Sequence, residues 1–267
     1  MGLDAIDPVL IRLGPLAIRW YGVLMAASVA IGFYYFRRDG LKLGYPEDFL
    51  YNAAFLALVG GIVGARAVYV VTNWPVYAGD WVSMLRIDQG GLSFHGGIIG
   101  GALAGGAYVA RKRCSFEELA DLAVPGIAVG VMLVRLANLI NQEVMGRTVE
   151  AALGFERWPA QLIGSAIGLV LLVINARLAR RRPPVGYLFW SFVIYYSLLR
   201  GFVEETVREN PLYLPVVESH VWGIGLFTLT QLVTPLFLLL GWAMRRRAVR
   251  LGRRPMGPLV RSGRVRR

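Results

Sequence analysis

Cysteine and histidine are nearly missing from this 267-residue chain, which holds one cysteine, Cys114, and two histidines, His95 and His220. One cysteine excludes a disulfide scaffold. No acidic or His/Cys cluster has the spacing of a metal site, so no metal and no cofactor are expected. Charged residues are also scarce, at 17% against the roughly one quarter usual in globular proteins. With 56% hydrophobic residues, the chain is too apolar for intrinsic disorder. The N-terminus carries Asp4 and Asp7 where a signal peptide would carry Lys or Arg, and no small-residue cleavage site precedes its apolar run, so the first apolar segment is expected to be retained as a helix. Position 6 is not Ser or Thr, so Met1-Gly2 does not make a myristoylation site. No repeat or low-complexity domain is evident.

What is abundant is apolar residues and positive charge. Twenty-nine Lys and Arg face 17 Asp and Glu, a net charge of +12, with a pI near 10.3 and a mean hydropathy of +0.52. Nucleic-acid binding would spread the cations over a docking face, but here they sit in short clusters between long apolar runs. Seven runs are long enough to cross about 30 Å of hydrocarbon at about 1.5 Å per residue, over residues 17–36, 49–71, 92–110, 119–140, 159–176, 185–202 and 221–244. The expected fold is an all-α polytopic membrane helix bundle. Basic clusters follow the first, third, fifth and seventh runs, at Arg37-Arg38, Arg111-Lys112-Arg113, Arg180-Arg181-Arg182 and Arg245-Arg246-Arg247. By the positive-inside rule the N-terminus is then outside and the C-terminus cytoplasmic. Residues 1–244 are expected to form one integral membrane domain and 245–267 a basic cytoplasmic tail that touches anionic lipid. A nucleic-acid role for the tail is the weaker alternative.

With Lys42 and Arg177 beside these clusters and ten arginines in the tail, twenty of the 29 basic residues are accounted for in this way. The remainder are Arg12, Arg19, Arg66, Arg86, Arg135, Arg147, Arg157, Arg200 and Arg208. An arginine at mid-membrane costs about 2.5–3.5 kcal/mol unless it finds a partner or a wet cavity. For Arg66, Arg135 and Arg200 the structural alternative is an ion pair between helices, or snorkelling to the outer interface. Spacing favours a site for two of them. Arg135, Asn138 and Gln142 fall at i, i+3 and i+7, with Asn141 and Glu143 flanking. Tyr196, Arg200 and Glu204 fall at i, i+4 and i+8 and continue into Glu205, Arg208 and Glu209. The cheapest arrangement of these stripes is around a polar cavity. Between Gln89 and Gly106, glycines four apart permit close helix contact. His95 stands at the start of the third run beside Gly96 and Gly97, whose bare backbone N–H groups suit an anion. Imidazole titrates near neutrality, which makes His95 a general-base candidate. His220 reads as interfacial. Trp20, Tyr21, Trp74, Tyr77, Trp81, Trp158, Tyr213 and Trp222 read mostly as an aromatic belt, with Tyr21 placed to join the polar site.

From about Asp7 to Arg247 the sequence resembles the bacterial prolipoprotein diacylglyceryl transferase family. Arg19-Trp20-Tyr21-Gly22 resembles the start of the family's first span, and GARAVYV with Arg66 its second-span motif. GGLSFHGG with His95 is close to its His-Gly-Gly motif. Arg135-Leu-Ala-Asn138-Leu-Ile-Asn141-Gln-Glu143-Val-Met-Gly146 is similar to the signature Gly-Arg-x-Gly-Asn-Phe-x-Asn-x-Glu-x-x-Gly. Tyr196, Arg200 and Glu204 resemble its Tyr/Arg/Glu stripe, Gln231 its last-helix glutamine, and Pro159-Ala-Gln161-Leu162 its Pro-x-Gln-Leu. The chain departs at Val134 and Ala137, where the signature has glycine, and at Ile163-Gly164, where the family usually has Tyr-Glu.

The resemblance implies transfer of the diacylglyceryl group of phosphatidylglycerol to the lipobox cysteine thiol of a prolipoprotein, forming a thioether and releasing glycerol 1-phosphate. It implies catalytic roles for His95, Arg135, Arg200 and Tyr21, with His95 favoured over Tyr21 as base. It implies phosphatidylglycerol binding by Arg135, Asn138, Asn141, Glu143, Tyr196, Glu204, Gly96 and Gly97. Arginine forks suit a phosphate and oppose the charge that grows on it as it departs. The implied partners are phosphatidylglycerol and prolipoprotein signal peptides, with no nucleic acid, and the implied setting is a monomer in the bacterial cytoplasmic (inner) membrane. The alternative is a divergent paralogue that binds or transports membrane lipid. A transporter would more often show two related halves with broken helices. An intramembrane serine protease built on Ser93 and His95 has poor geometry for nucleophile and base.

Overall fold

A computed structural model describes residues 6–14, 16–87, 90–151, 153–214, 217–255 and 257. Asp4, Gln89 and the last ten residues of the basic tail lie outside the described residues. In chain order the elements are β1 (Val9–Leu13), β2 (Leu16–Arg19), α1 (Trp20–Lys42), α2 (Glu47–Thr72), the short α3 (Trp74–Tyr77) and α4 (Trp81–Leu85), α5 (Phe94–Arg111), α6 (Phe116–Ile140), α7 (Ala160–Ala179) and α8 (Tyr187–Leu198). A π-helical stretch, Leu199–Glu204, joins α8 to α9 (Glu205–Val207), and β3 (Glu218–Ser219), β4 (Ile224–Gly225) and α10 (Leu229–Leu251) follow. The chain is mostly helical. Each strand pair is a small antiparallel hairpin.

Among the described residues, α2, α6 and α7 are long and apolar enough to cross a membrane. Large apolar side chains stand outward along the long helices, among them Phe55 at 63% exposure, Leu103 at 68% and Leu239 at 66%. Water would not tolerate such faces on an isolated protein, but hydrocarbon does.

Helix limits depart from the apolar runs at two places. Residues 17–19 belong to β2, so α1 begins at Trp20. Residues 221–228 form a turn and β4 rather than helix, because Gly223 takes a left-handed φ of 60° and the capping box of Thr228 and Gln231 starts α10 only at Leu229. α10 then runs on through Arg245, Arg246 and Arg247, so the tail begins as helix.

The chain forms two compact units: Met1–Phe36 with Ala120–Pro255, and Arg37–Leu119 with Met256–Arg267. In the first, Ala128, Ile167 and Leu171 form a core covered by Ile163, Leu172, Phe192, Tyr195, Tyr196 and Leu199. Asp121 of α6 accepts N–H bonds from Gly186 at 2.6 Å and Phe189 at 2.7 Å and so caps α8 from a neighbouring helix.

The second unit is built on α2 against α5. A Cβ on Gly100 would lie 2.2 Å from the Gly60 carbonyl oxygen, and one on Gly64 would lie 2.5 Å from that of Gly96. Glycines on both helices thus bring the two backbones into contact, where dispersion takes the place of the missing hydrophobic drive. Arg66, 7% exposed, fastens the connection between them. Its guanidinium donates to the carbonyls of Met84 at 2.9 Å, Ser83 at 2.5 Å, Gly90 at 2.9 Å and Gly91 at 3.0 Å. Gly90 and Gly91, at φ 82° and 76°, take the left-handed backbone that turns both carbonyls onto one nitrogen.

Candidate functional site

The polar cluster of the first unit begins where α6 stops. The helix ends at Ile140, and Gln142 and Val144 take left-handed φ angles of 54° and 58°. A β-branched valine there is a strained choice. The detour corrects the helical stripe expected from spacing. Gln142 and Glu143 are both exposed in the turn, and it is Glu143 rather than Gln142 that bonds back to the end of α6. The Glu143 N–H donates to the Asn138 carbonyl at 2.8 Å. Asn138 Nδ2 donates to Glu143 Oε2 at 3.0 Å and Asn141 Nδ2 to Oε1 at 3.4 Å. Gln161 of α7, buried, fixes this turn by donating to the Glu143 carbonyl at 2.9 Å.

The sixth run brings the second half. The π-helical stretch widens the turn at Arg200, so Arg200 reaches two carboxylates: Nε lies 3.5 Å from Glu204 Oε2, and Nη1 pairs with Glu205. A regular helix pairs i with i+4; the π turn adds i+5. Asn210 Nδ2 donates to the other Glu205 oxygen. Glu204 is the junction of the two helices. Its Oε1 lies 2.7 Å from Arg135 Nη2, while Arg135 Nη1 faces Asn138 Oδ1 at 3.5 Å.

Glu204 and Glu205 are each 1% exposed, against 13% for the Arg135 side chain and 11% for Arg200. Two buried carboxylates between guanidiniums offset a desolvation that either sign alone would carry at several kcal/mol, roughly. Glu204 Oε1 has the charge contact without an aligned hydrogen bond, so acceptor capacity remains there. Tyr21, at the start of α1, lies within electrostatic reach of Glu143 and Arg135. Tyr196 stacks on Phe192 at 5.6 Å and interacts electrostatically with Arg200.

Arg135, Asn138, Asn141, Glu143, Arg200 and Glu204 are therefore brought together, with Tyr21 and Tyr196 alongside. Glu205, Asn210 and Gln161 belong to the same cluster and were not among the expected site residues. Glu205 was adjacent to an expected residue. Asn210 left no periodic signal, because it lies beyond the helix.

Arg147 and Arg157 act outside the cluster as staples. Arg147 pairs with Glu218 at 2.8 Å and donates to the Asn210 carbonyl at 2.9 Å. Arg157 pairs with Glu209 at 2.5 Å and donates to the Gly146 carbonyl at 3.0 Å.

His95, Gly96 and Gly97 lie in the second unit, in the first turn of α5. His95 is exposed there. The Gly96 N–H points to Ser93 Oγ at 3.4 Å and the Gly97 N–H to the Ser93 carbonyl at 2.9 Å. Ser93 thus takes the two N–H groups expected to face an anion, and Gly96 is packed so closely that its Cβ would lie 2.3 Å from the Gly64 oxygen. In the preceding connection, Asp80 accepts from the Ser83 N–H at 3.0 Å and from its hydroxyl. Those two bonds hold the Asp80 carboxyl below its ordinary range. His220 is exposed in the turn before β4.

A mostly helical chain with membrane-length apolar helices and a buried arginine–carboxylate cluster at the ends of α6 and α8 defines a helical membrane protein with a polar site suited to an anionic group. The model of the prolipoprotein diacylglyceryl transferase family matches residues 8–245. The chain is 48% identical over 250 residues to the phosphatidylglycerol–prolipoprotein diacylglyceryl transferase of Thermoanaerobacter sp. (strain X514), covering 93% of this chain and 96% of that protein. It is 36% identical to the protein of the same name from Thermus thermophilus, over 89% and 97% of the two chains, and 35% identical to that of Geobacter sulfurreducens, over 97% and 100%. This chain belongs to the prolipoprotein diacylglyceryl transferase family.

Proposed function

We propose that this chain transfers the diacylglyceryl group of phosphatidylglycerol to the lipobox cysteine thiol of a prolipoprotein. The sulfur forms a thioether bond to the glyceryl carbon, the bond from that carbon to the phosphate oxygen breaks, and glycerol 1-phosphate leaves with the electron pair. The observation that carries this reading is the buried pair Arg135 and Arg200 joined by Glu204 in a chain of this family.

A phosphodiester entering beside these forks meets fixed positive charge. As negative charge grows on the departing phosphate, the guanidiniums stabilise the transition state more than the ground state. Asn138, Asn141 and Glu143 hold the lipid glycerol and the Arg135 side of the site, while Tyr196 and Glu204 hold Arg200. The thiol proton passes to a base, His95 in this reading, with Tyr21 as the second candidate. Gly96 and Gly97 let the start of α5 lie close to α2, which sets where His95 stands.

Seven spanning segments are part of the proposal, with the N-terminus outside, the C-terminus cytoplasmic, residues 1–244 as the transferase domain and 245–267 as the basic tail, in the bacterial cytoplasmic membrane as a monomer. The basic clusters after alternate apolar runs support that orientation. A lipid-binding or transport paralogue is not favoured, since relatives at 45–48% identity carry the transferase name.

The test is thioether formation by the purified protein with phosphatidylglycerol and a lipobox peptide. A diacylglyceryl-modified peptide supports the assignment, and an unmodified cysteine under conditions where the protein remains folded rejects it.

A further inference from the structure

Gly164 of α7 is buried, and the space its missing side chain leaves is taken by Arg135. A Cβ there would lie 2.8 Å from Arg135 Nε and 2.9 Å from its Cδ and Cγ. One turn further on, Gly168 is close to backbone instead: its Cβ would lie 2.6 Å from Met132 N and 2.9 Å from the Ala128 oxygen. Gln161, Gly164 and Gly168 share one face of α7 at i, i+3 and i+7. Gly168 lets α6 and α7 backbones meet, Gln161 holds the turn after α6, and Gly164 leaves a slot for one side chain.

The stem of Arg135 lies in that slot with its head already committed, Nη2 to Glu204 at 2.7 Å and Nη1 toward Asn138 at 3.5 Å. The atoms nearest Gly164 are the middle of the side chain rather than its free end. A Cβ therefore cannot be absorbed by rotation of the free end alone, and the stem of Arg135 has to shift to make room.

We propose that Gly164 is a positioning residue for Arg135, its bare Cα setting the direction from which the guanidinium enters the site. The consequence for transfer rests on the function proposed above, while the contact itself does not. Gly164→Ala moves the guanidinium without removing it. A displacement of about 1 Å at a reacting group costs about a hundredfold in rate.

The experiment compares the full chain, Gly164→Ala, Arg135→Ala, the double variant and Gly130→Ala, the last at a position where a Cβ meets nothing within 4 Å. Each is assayed for transfer from phosphatidylglycerol to a lipobox peptide and for its unfolding midpoint in detergent. Gly164→Ala is expected to lose transfer about a hundredfold with an unchanged KM for the peptide, and to lower the midpoint, while Gly130→Ala changes neither. In the Arg135→Ala background the added alanine leaves the midpoint unchanged or raises it, because the stem is gone and alanine favours helix over glycine.

An equal drop in midpoint in both backgrounds, or a Gly164→Ala protein as active as Gly130→Ala, overturns the proposal. Should Gly164→Ala not accumulate as folded protein, recovery of folded yield in the double variant supports the contact and its failure to recover overturns it. If the unaltered protein forms no thioether, the transferase reading fails, and the midpoint comparison alone decides on Gly164.

Discussion

Arg135 and Arg200 are held by carboxylates of the protein, Glu204 and Glu205, so each guanidinium is fixed in place by the fold itself. Removing either guanidinium takes one of the two ion pairs from Glu204 and one fixed charge from the proposed transition state. Arg135→Ala and Arg200→Ala are expected to lose transfer by roughly 10²–10³-fold or more while still inserting into membranes. Lipidation of a lipobox reporter in cells checks this, and normal lipidation by either variant removes that arginine from the mechanism. His95→Gln is expected to slow transfer and alter its pH–rate profile; an unaltered profile moves the base to Tyr21 or to solvent. The roles of Arg66, Arg147 and Arg157 differ from these. Their partners are backbone carbonyls and exposed carboxylates, which is how a structural arginine is satisfied.

Among the elements, the α2–α5 pair and the connection between them depend on one arginine and a few glycines. Arg66→Ala takes a donor from four part-buried carbonyls, of which that of Ser83 keeps the Arg86 N–H at 3.3 Å, and each lost bond is worth about 0.5–1.5 kcal/mol. Faster amide exchange over residues 83–93 is the expected result, with a smaller change in Arg66→Lys, which keeps a donor but not the fork. Exchange unchanged from the unaltered protein would show that the fork is not what orders this connection. At the helix contact, Gly100→Ala places a methyl 2.2 Å from the Gly60 oxygen and is expected to cost about 1–3 kcal/mol as overpacking, read as a lower unfolding midpoint. The Asp80 cap of α4 is pH-dependent. Its carboxyl is depressed by the two Ser83 bonds, so the stabilisation is present above the ordinary aspartate range and is lost as pH falls through the lowered value. Protection of the Ser83 amide should follow that curve, and Asp80→Asn should flatten it.

For the whole molecule, the central expectation is orientation. Single cysteines introduced into a Cys114→Ser protein at position 79 and at position 252 are expected to label from opposite sides of the membrane, the first from outside and the second from the cytoplasm. Labelling of both from one side rejects the seven-span arrangement. Much of the protein is legible in the sequence. Apolar runs, basic clusters and the spacing of Arg135, Asn138, Arg200 and Glu204 are written locally, because hydrocarbon demands long unbroken apolar helices and obliges an intramembrane charge to find a partner. Three features were not legible: the left-handed turn that exchanges Gln142 for Glu143, the π turn that gives Arg200 a second carboxylate, and the slot at Gly164 that directs Arg135 to Glu204. Backbone detours break the 3.6-residue period on which spacing arguments rest. Contacts between distant segments depend on how closely two helix axes approach. The sequence by itself determined which residues had to find partners in an apolar solvent; only the tertiary structure decided which partners they found, because that choice is made by packing between helices rather than by order along the chain.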